Sequence, residues 1–115
     1  MARAEERFKA QWFQILLSVA DRSLHGSAIM EEVLERTDGA MRLWPGALYG
    51  SLAELSALGW IREMAAPAGA PTEGGKRRFW SITPAGKRAL RLEVERMEGY
   101  VRAARSKRIL RGTPA

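Results

Sequence analysis

Residues 65–75 read AAPAGAPTEGG, a run of alanine, glycine and proline that can continue neither a helix nor a strand. It lies between two segments of bulky and branched residues, 60–64 before it and 76–83 after it, with Phe79 and Ile82 among the apolar members of the second. Two such segments joined by an irregular run predict a β-hairpin. The connection exceeds the roughly 2–5 residues usual in hairpins, so it is expected to be mobile and to serve a purpose outside the fold. The rest of the chain carries helical periodicity. The fold class is therefore mostly α with a small β-hairpin, an α+β arrangement.

Four helices are predicted. In the first, over 4–20, Phe8, Trp12, Ile15, Leu16 and Val19 form one apolar face, with Arg7 and Lys9 opposite. After a polar break at 21–24, His25-Gly26 shapes the turn into the second. There Ile29, Met30, Val33 and Leu34 are apolar, and Glu31, Glu32 and Glu35 make a solvated face. Thr37-Asp38-Gly39 stops it. Residues 41–43 have room for only a very short strand. Pro45 opens the third helix, over 45–58, since proline suits a first helical turn. Leu48, Leu52 and Leu55 give it a buried stripe, and Gly59 ends it. Thr83-Pro84 caps and starts the fourth, which is expected to run to about Leu110. Its residues Leu90, Val94, Met97, Val101 and Ala104 alternate spacings of four and three, a seam of coiled-coil type that predicts a dimer interface. Gly99 weakens this helix in isolation.

The chain has 115 residues and no cysteine, which excludes a disulfide framework and a thiolate metal site. A lone histidine cannot build a zinc site. No metal or cofactor is expected. No nucleophile with a base, phosphate-binding loop or dinucleotide fingerprint occurs, so no enzyme is expected either. Neither a signal-peptide core nor a stretch near the roughly 20 apolar residues of a membrane span is visible; the expectation is a cytoplasmic protein with no membrane partner. Net charge is +6 and pI about 10.5, the footprint of a polyanion binder. Residues 1–83 balance ten basic side chains against ten acidic ones, so the excess lies wholly in 84–115.

The order helix, helix, helix, strand, loop, strand, helix is that of a winged helix-turn-helix over 1–83, followed by a dimerisation helix over 84–110 and a flexible tail over 111–115. The third helix suits the major groove, which admits one α-helix. It holds no lysine or arginine between Pro45 and Gly59, so the groups it offers to double-stranded DNA are the backbone near Gly46, the Ala47 methyl and the hydroxyls of Tyr49 and Ser51. Tyr49 reads equally well as a half-buried core aromatic. Lys76, Arg77 and Arg78 at the base of the wing, and Arg42 ahead of the third helix, are candidate phosphate contacts; a solvated charge run is the alternative. A winged-helix protein-interaction module without specific DNA binding is the competing function.

Three stretches bring a family into view: HGSAIMEEVLERT at 25–37, LWPGALYGSLAELSALGWI at 43–61 and RRFWSITPAGKRAL at 77–90. With their spacing they cover most of residues 8–110, and the chain resembles the PadR family of bacterial transcriptional regulators, in its compact branch with one short C-terminal helix. The resemblance implies a homodimer on a roughly palindromic operator, commonly a repressor released by a small aromatic or cationic compound near the dimer interface. Three positions depart from the family pattern. Ser27 stands for a bulky aromatic, Trp44 for a small residue before Pro45, and Ala47 for a common threonine. Burial is the default for most of the four tryptophans. Trp12, with Met97 and Tyr100 as neighbours, is a candidate effector site between the first helix and the fourth helix of a dimer mate; a core aromatic and a flexible methionine explain the same residues more simply.

Overall fold

The computed structural model describes residues 8–69 and 78–110. In chain order these form α1 (Ala10–Ser18), β1 (Leu24–His25), α2 (Gly26–Arg36), α3 (Pro45–Ala57), β2 (Ile61–Met64), β3 (Phe79–Ile82) and α4 (Pro84–Ser106). All four expected helices and the hairpin are present. The N-terminal residues expected in the first helix, most of the inter-strand run together with Lys76 and Arg77, and the tail expected over 111–115 lie outside the described residues.

The core is built where the periodicities converge. Ile15 and Leu16 of α1, Ile29 and Val33 of α2, and Leu48, Leu52 and Leu55 of α3 are fully buried in one cluster. Burying each such side chain is worth roughly 1.5–3 kcal/mol. Leu90 is buried in the same cluster and Val94 packs against it, so the first half of α4 completes this core.

Three local features differ from the sequence reading. First, α1 starts at Ala10, because Lys9 is extended (ψ 148°). Phe8 instead turns back to stack on Trp60, with ring centroids 5.3 Å apart. Second, the hairpin gains a third strand. The sheet order is β1-β3-β2, all antiparallel, with Leu24 opposite Trp80 and Ile61 opposite Ile82. Both edges of β3 are thereby occupied, and residues 41–43 form no strand, although Leu43 is buried. Third, α4 ends at Ser106 rather than near Leu110: Arg108 turns left-handed (φ 62°), and the Ile109 amide donates back to the Ala104 carbonyl.

Helix ends follow cap chemistry. The Trp60 amide donates to the Leu55 carbonyl and the Gly59 amide to Ser56, with Gly59 at φ 78°, a Schellman stop for α3. At the end of α2 the first left-handed position is held by Asp38 (φ 53°), ahead of Gly39. A side chain there works against the conformation. Asp38→Gly is accordingly expected to stabilise the fold by about 0.5–1 kcal/mol, read as a rise of a few degrees in Tm; an unchanged or lowered Tm would refute the strain. His25 caps α2, its Nδ1 accepting from the Ala28 amide at 3.3 Å. Thr83 joins two helices: its hydroxyl accepts from the Gly86 amide at 3.0 Å and donates to the Gly59 carbonyl at 2.6 Å.

Candidate nucleic-acid interface

α3 turns its leucines inward and leaves Gly46, Ala47, Tyr49, Gly50 and Ala53 on an uncovered face. Among these, an added Cβ at Gly46 or Gly50 would meet nothing within 4 Å. The face is smooth and uncharged, and what surrounds it decides what it can contact.

Tyr49, 40% exposed, connects α3 to its neighbours. Its hydroxyl lies over Gly26 at the start of α2, where an added Cβ would come within 2.6 Å of it. The Arg78 guanidinium sits 5.7 Å from the Tyr49 ring and 5.0 Å from that of Trp80. One edge of Tyr49 is thus packed and one lies in solvent.

Arg78 is not an uncommitted cation. Its Nε and Nη2 donate to the two Glu63 carboxylate oxygens at 2.7 and 3.1 Å, across the β2–β3 pair. The guanidinium holds the Glu63 carboxyl below the usual carboxylate range. A phosphate approaching Arg78 therefore competes with Glu63. Arg42 is exposed, its guanidinium 5.2 Å from the centroid of the Trp44 ring.

Ser51 requires a correction. It is 2% exposed, and its hydroxyl accepts from the Gln11 side-chain amide at 3.0 Å. Its position three residues after Leu48 places it in the buried stripe, so it does not face outward. Trp12 is likewise a core residue at 9% exposure. Its indole N–H donates to Glu54 at 2.8 Å and its ring meets Phe8 and Trp60 edge-on, whereas Met97 and Tyr100 stand exposed on α4. The proposed dimer seam also divides: Leu90 and Val94 are used by the chain's own core, leaving Met97, Val101 and Ala104 beyond it.

Trp44, the departure noted ahead of Pro45, is not among the tryptophans that follow the default of burial: it is 65% exposed. It occupies the N-cap of α3 and makes no side-chain cap hydrogen bond. A serine or threonine there would stabilise the helix by about 1 kcal/mol. The available signal was its position ahead of Pro45, outside the phase of the leucine stripe.

On the opposite flank of α3, Glu54 accepts from the Trp12 indole and from Lys9 at 3.1 Å. The Trp12 hydrogen bond, then that of Lys9, holds its carboxyl below the ordinary value. A depressed folded-state pKa contributes stability that is present above the ordinary glutamate range and lost as pH falls through the lowered value. Tm is expected to drop on acidification through that range, and Glu54→Gln should flatten part of the drop. An identical acid profile for wild type and Glu54→Gln would refute this.

Comparison with known proteins identifies the frame that carries this face. The sequence model of the PadR-like family of transcriptional regulators matches residues 15–92. The chain belongs to the PadR-like family. Its members are transcriptional regulators, not enzymes. The chain is also similar to an uncharacterised 37.1 kDa protein in transposon TN4556 of Streptomyces fradiae, 39% identical over 83 residues; the match takes in 72% of this chain but only 21% of that relative's length. Among solved structures, a PadR family regulator from Clostridium difficile R20291 superposes with a TM-score of 0.69 at 19% identity, covering 83% of this chain and 94% of that one. Bacillus subtilis PadR in complex with operator DNA gives a TM-score of 0.63 at 18% identity, over 76% of this chain and 48% of that chain. The fold of this PadR-like chain is a winged helix-turn-helix, with β2 and β3 as the wing strands. Among the described residues no helix is long and apolar enough to cross a membrane, and no group of side chains is disposed to hold a metal ion.

Proposed function

We propose that this chain is a sequence-specific DNA-binding transcriptional regulator that acts as a homodimeric repressor. The observation that carries the reading is the uncovered, small-residue face of α3 within a PadR-like frame. Such a face lets the helix backbone approach base edges closely in the major groove. Gly46, Ala47 and Tyr49 are the proposed groove contacts, and Arg42, Lys76, Arg77 and Arg78 the proposed phosphate contacts. Bacillus subtilis PadR, which shares the fold, was solved bound to operator DNA.

Dimerisation is assigned to the second half of α4, where Met97, Tyr100 and Val101 are exposed. Exposed apolar residues so close along one helix favour a second apolar surface. A small aromatic or cationic effector would act at this contact, beside Met97 and Tyr100; Trp12, packed in the core, is not part of it. The unit over 1–83 reads DNA in this scheme, and 84–110 pairs the copies.

The test is fluorescence-anisotropy binding to the DNA upstream of the chain's own gene, against scrambled DNA, at two salt concentrations. Preferential binding that weakens steeply with salt is the expected result. Equal weak binding to both duplexes would refute the reading and favour a protein-interaction module, for which the uncharged α3 is the supporting feature.

A further inference from the structure

Trp44 stands apart from the packing that accounts for the other tryptophans. Trp12 and Trp80 are buried, and Trp60 is half-buried against Phe8, whereas Trp44 presents its ring at the start of α3 without capping it. The guanidinium of Arg42 lies over this ring, 5.2 Å from its centroid. Together they border an open groove of about 320 Å³ between α2 and the segment leading into α3, lined also by Ser27, Met30, Glu31, Leu34 and Leu43. The groove reaches Pro45, the first residue of α3.

We infer that Trp44 and Arg42 form a composite DNA contact in which the indole receives the methyl group of a thymine and Arg42 neutralises the neighbouring phosphate. This rests on the DNA-binding reading above and adds a base preference to it. The chemistry of the groove selects the occupant. Its Met30, Leu34, Leu43 and Trp44 walls are apolar, which suits a thymine methyl, a recognised target of apolar side chains in the major groove. Glu31 in the lining repels a phosphate from the groove itself. Arg42 carries the opposite charge at the same site, and stacking on the indole orients it before DNA arrives.

Trp44→Ser tests the assignment without putting the fold at risk, because serine is a better N-cap than tryptophan. Binding is measured by anisotropy on the upstream duplex and on the same duplex with deoxyuridine in place of thymidine, which removes only the methyl groups. Wild type is expected to lose about fivefold in affinity on the deoxyuridine duplex. Trp44→Ser should bind the thymidine duplex about tenfold more weakly than wild type, with an unchanged salt slope and with little discrimination left between the two duplexes. Arg42→Gln should lower the salt slope by about one. A Trp44→Ser variant with wild-type affinity and wild-type discrimination would overturn this inference alone. Failure of wild type itself to prefer the upstream duplex over scrambled DNA would overturn the DNA-binding reading, and this inference with it.

Discussion

Gly86→Ala is expected to cost about 3 kcal/mol or more and to lower Tm by roughly 10–20 °C. The reason is the approach of α4 to the end of α3. A Cβ on Gly86 would overlap the carbonyl oxygen of Trp60 and come within 2.9 Å of the Ile82 side chain. That carbonyl is held in place, since it accepts the Thr83 amide at 3.0 Å. Thr83 in turn bonds Gly59 and caps α4 through Gly86. An added methyl must displace backbone that several hydrogen bonds fix, so relief by a side-chain rotation is not available. Thermal denaturation followed by circular dichroism reads the effect. A Gly86→Ala variant within about 1 kcal/mol of wild type would show that α4 can slide away from Trp60. Gly26→Ala makes a useful contrast: the atoms it would meet are the end of the Tyr49 side chain and a Leu48 methyl, so a much smaller loss is expected.

The second large effect is on binding. Gly50→Glu is expected to weaken DNA binding at least a hundredfold while leaving Tm equal to or above that of wild type. Gly50 is exposed in the middle of α3 with open space around a Cβ. Replacing a mid-helix glycine by a better helix former removes a backbone penalty of up to about 1 kcal/mol. If this face enters the major groove as proposed, however, the new carboxylate meets the like charge of the duplex across a close interface, at a cost of several kcal/mol. Stability and affinity should therefore move in opposite directions. A Gly50→Glu chain that keeps its preference for the upstream duplex would place DNA elsewhere on the molecule. A chain that unfolds would instead show that the α3 face is covered.

Much of this molecule was legible in one dimension. The leucines of α3 named its buried side, and Pro45 and Gly59 marked its ends, because helix phase and caps are local properties of the chain. Ser51 fell in the same stripe, three residues from Leu48; its hydroxyl drew attention away from its phase. The two-residue strand β1 was not legible. A segment that short has no periodicity, and only the free edge of β3 makes it a strand.

Charge was the other limit. Arg78 could be read as a basic residue at the wing base, but not as a partner of Glu63, because the pairing depends on the antiparallel register of β2 and β3. The amphipathic α4 seam has a regular spacing, yet spacing alone could not divide it. Leu90 and Val94 went to the chain's own core because the body of the domain lies against the first half of α4. Sequence alone thus determined that there are four helices, where α2 and α3 stop, and that a hairpin interrupts them. Tertiary structure decided which polar groups remain available: Ser51 and Trp12 are drawn inward by Gln11 and Glu54, while Trp44 is left outside with Arg42. Such pairings as those of Ser51 and Trp12 join residues distant in the chain, and no local pattern encodes them.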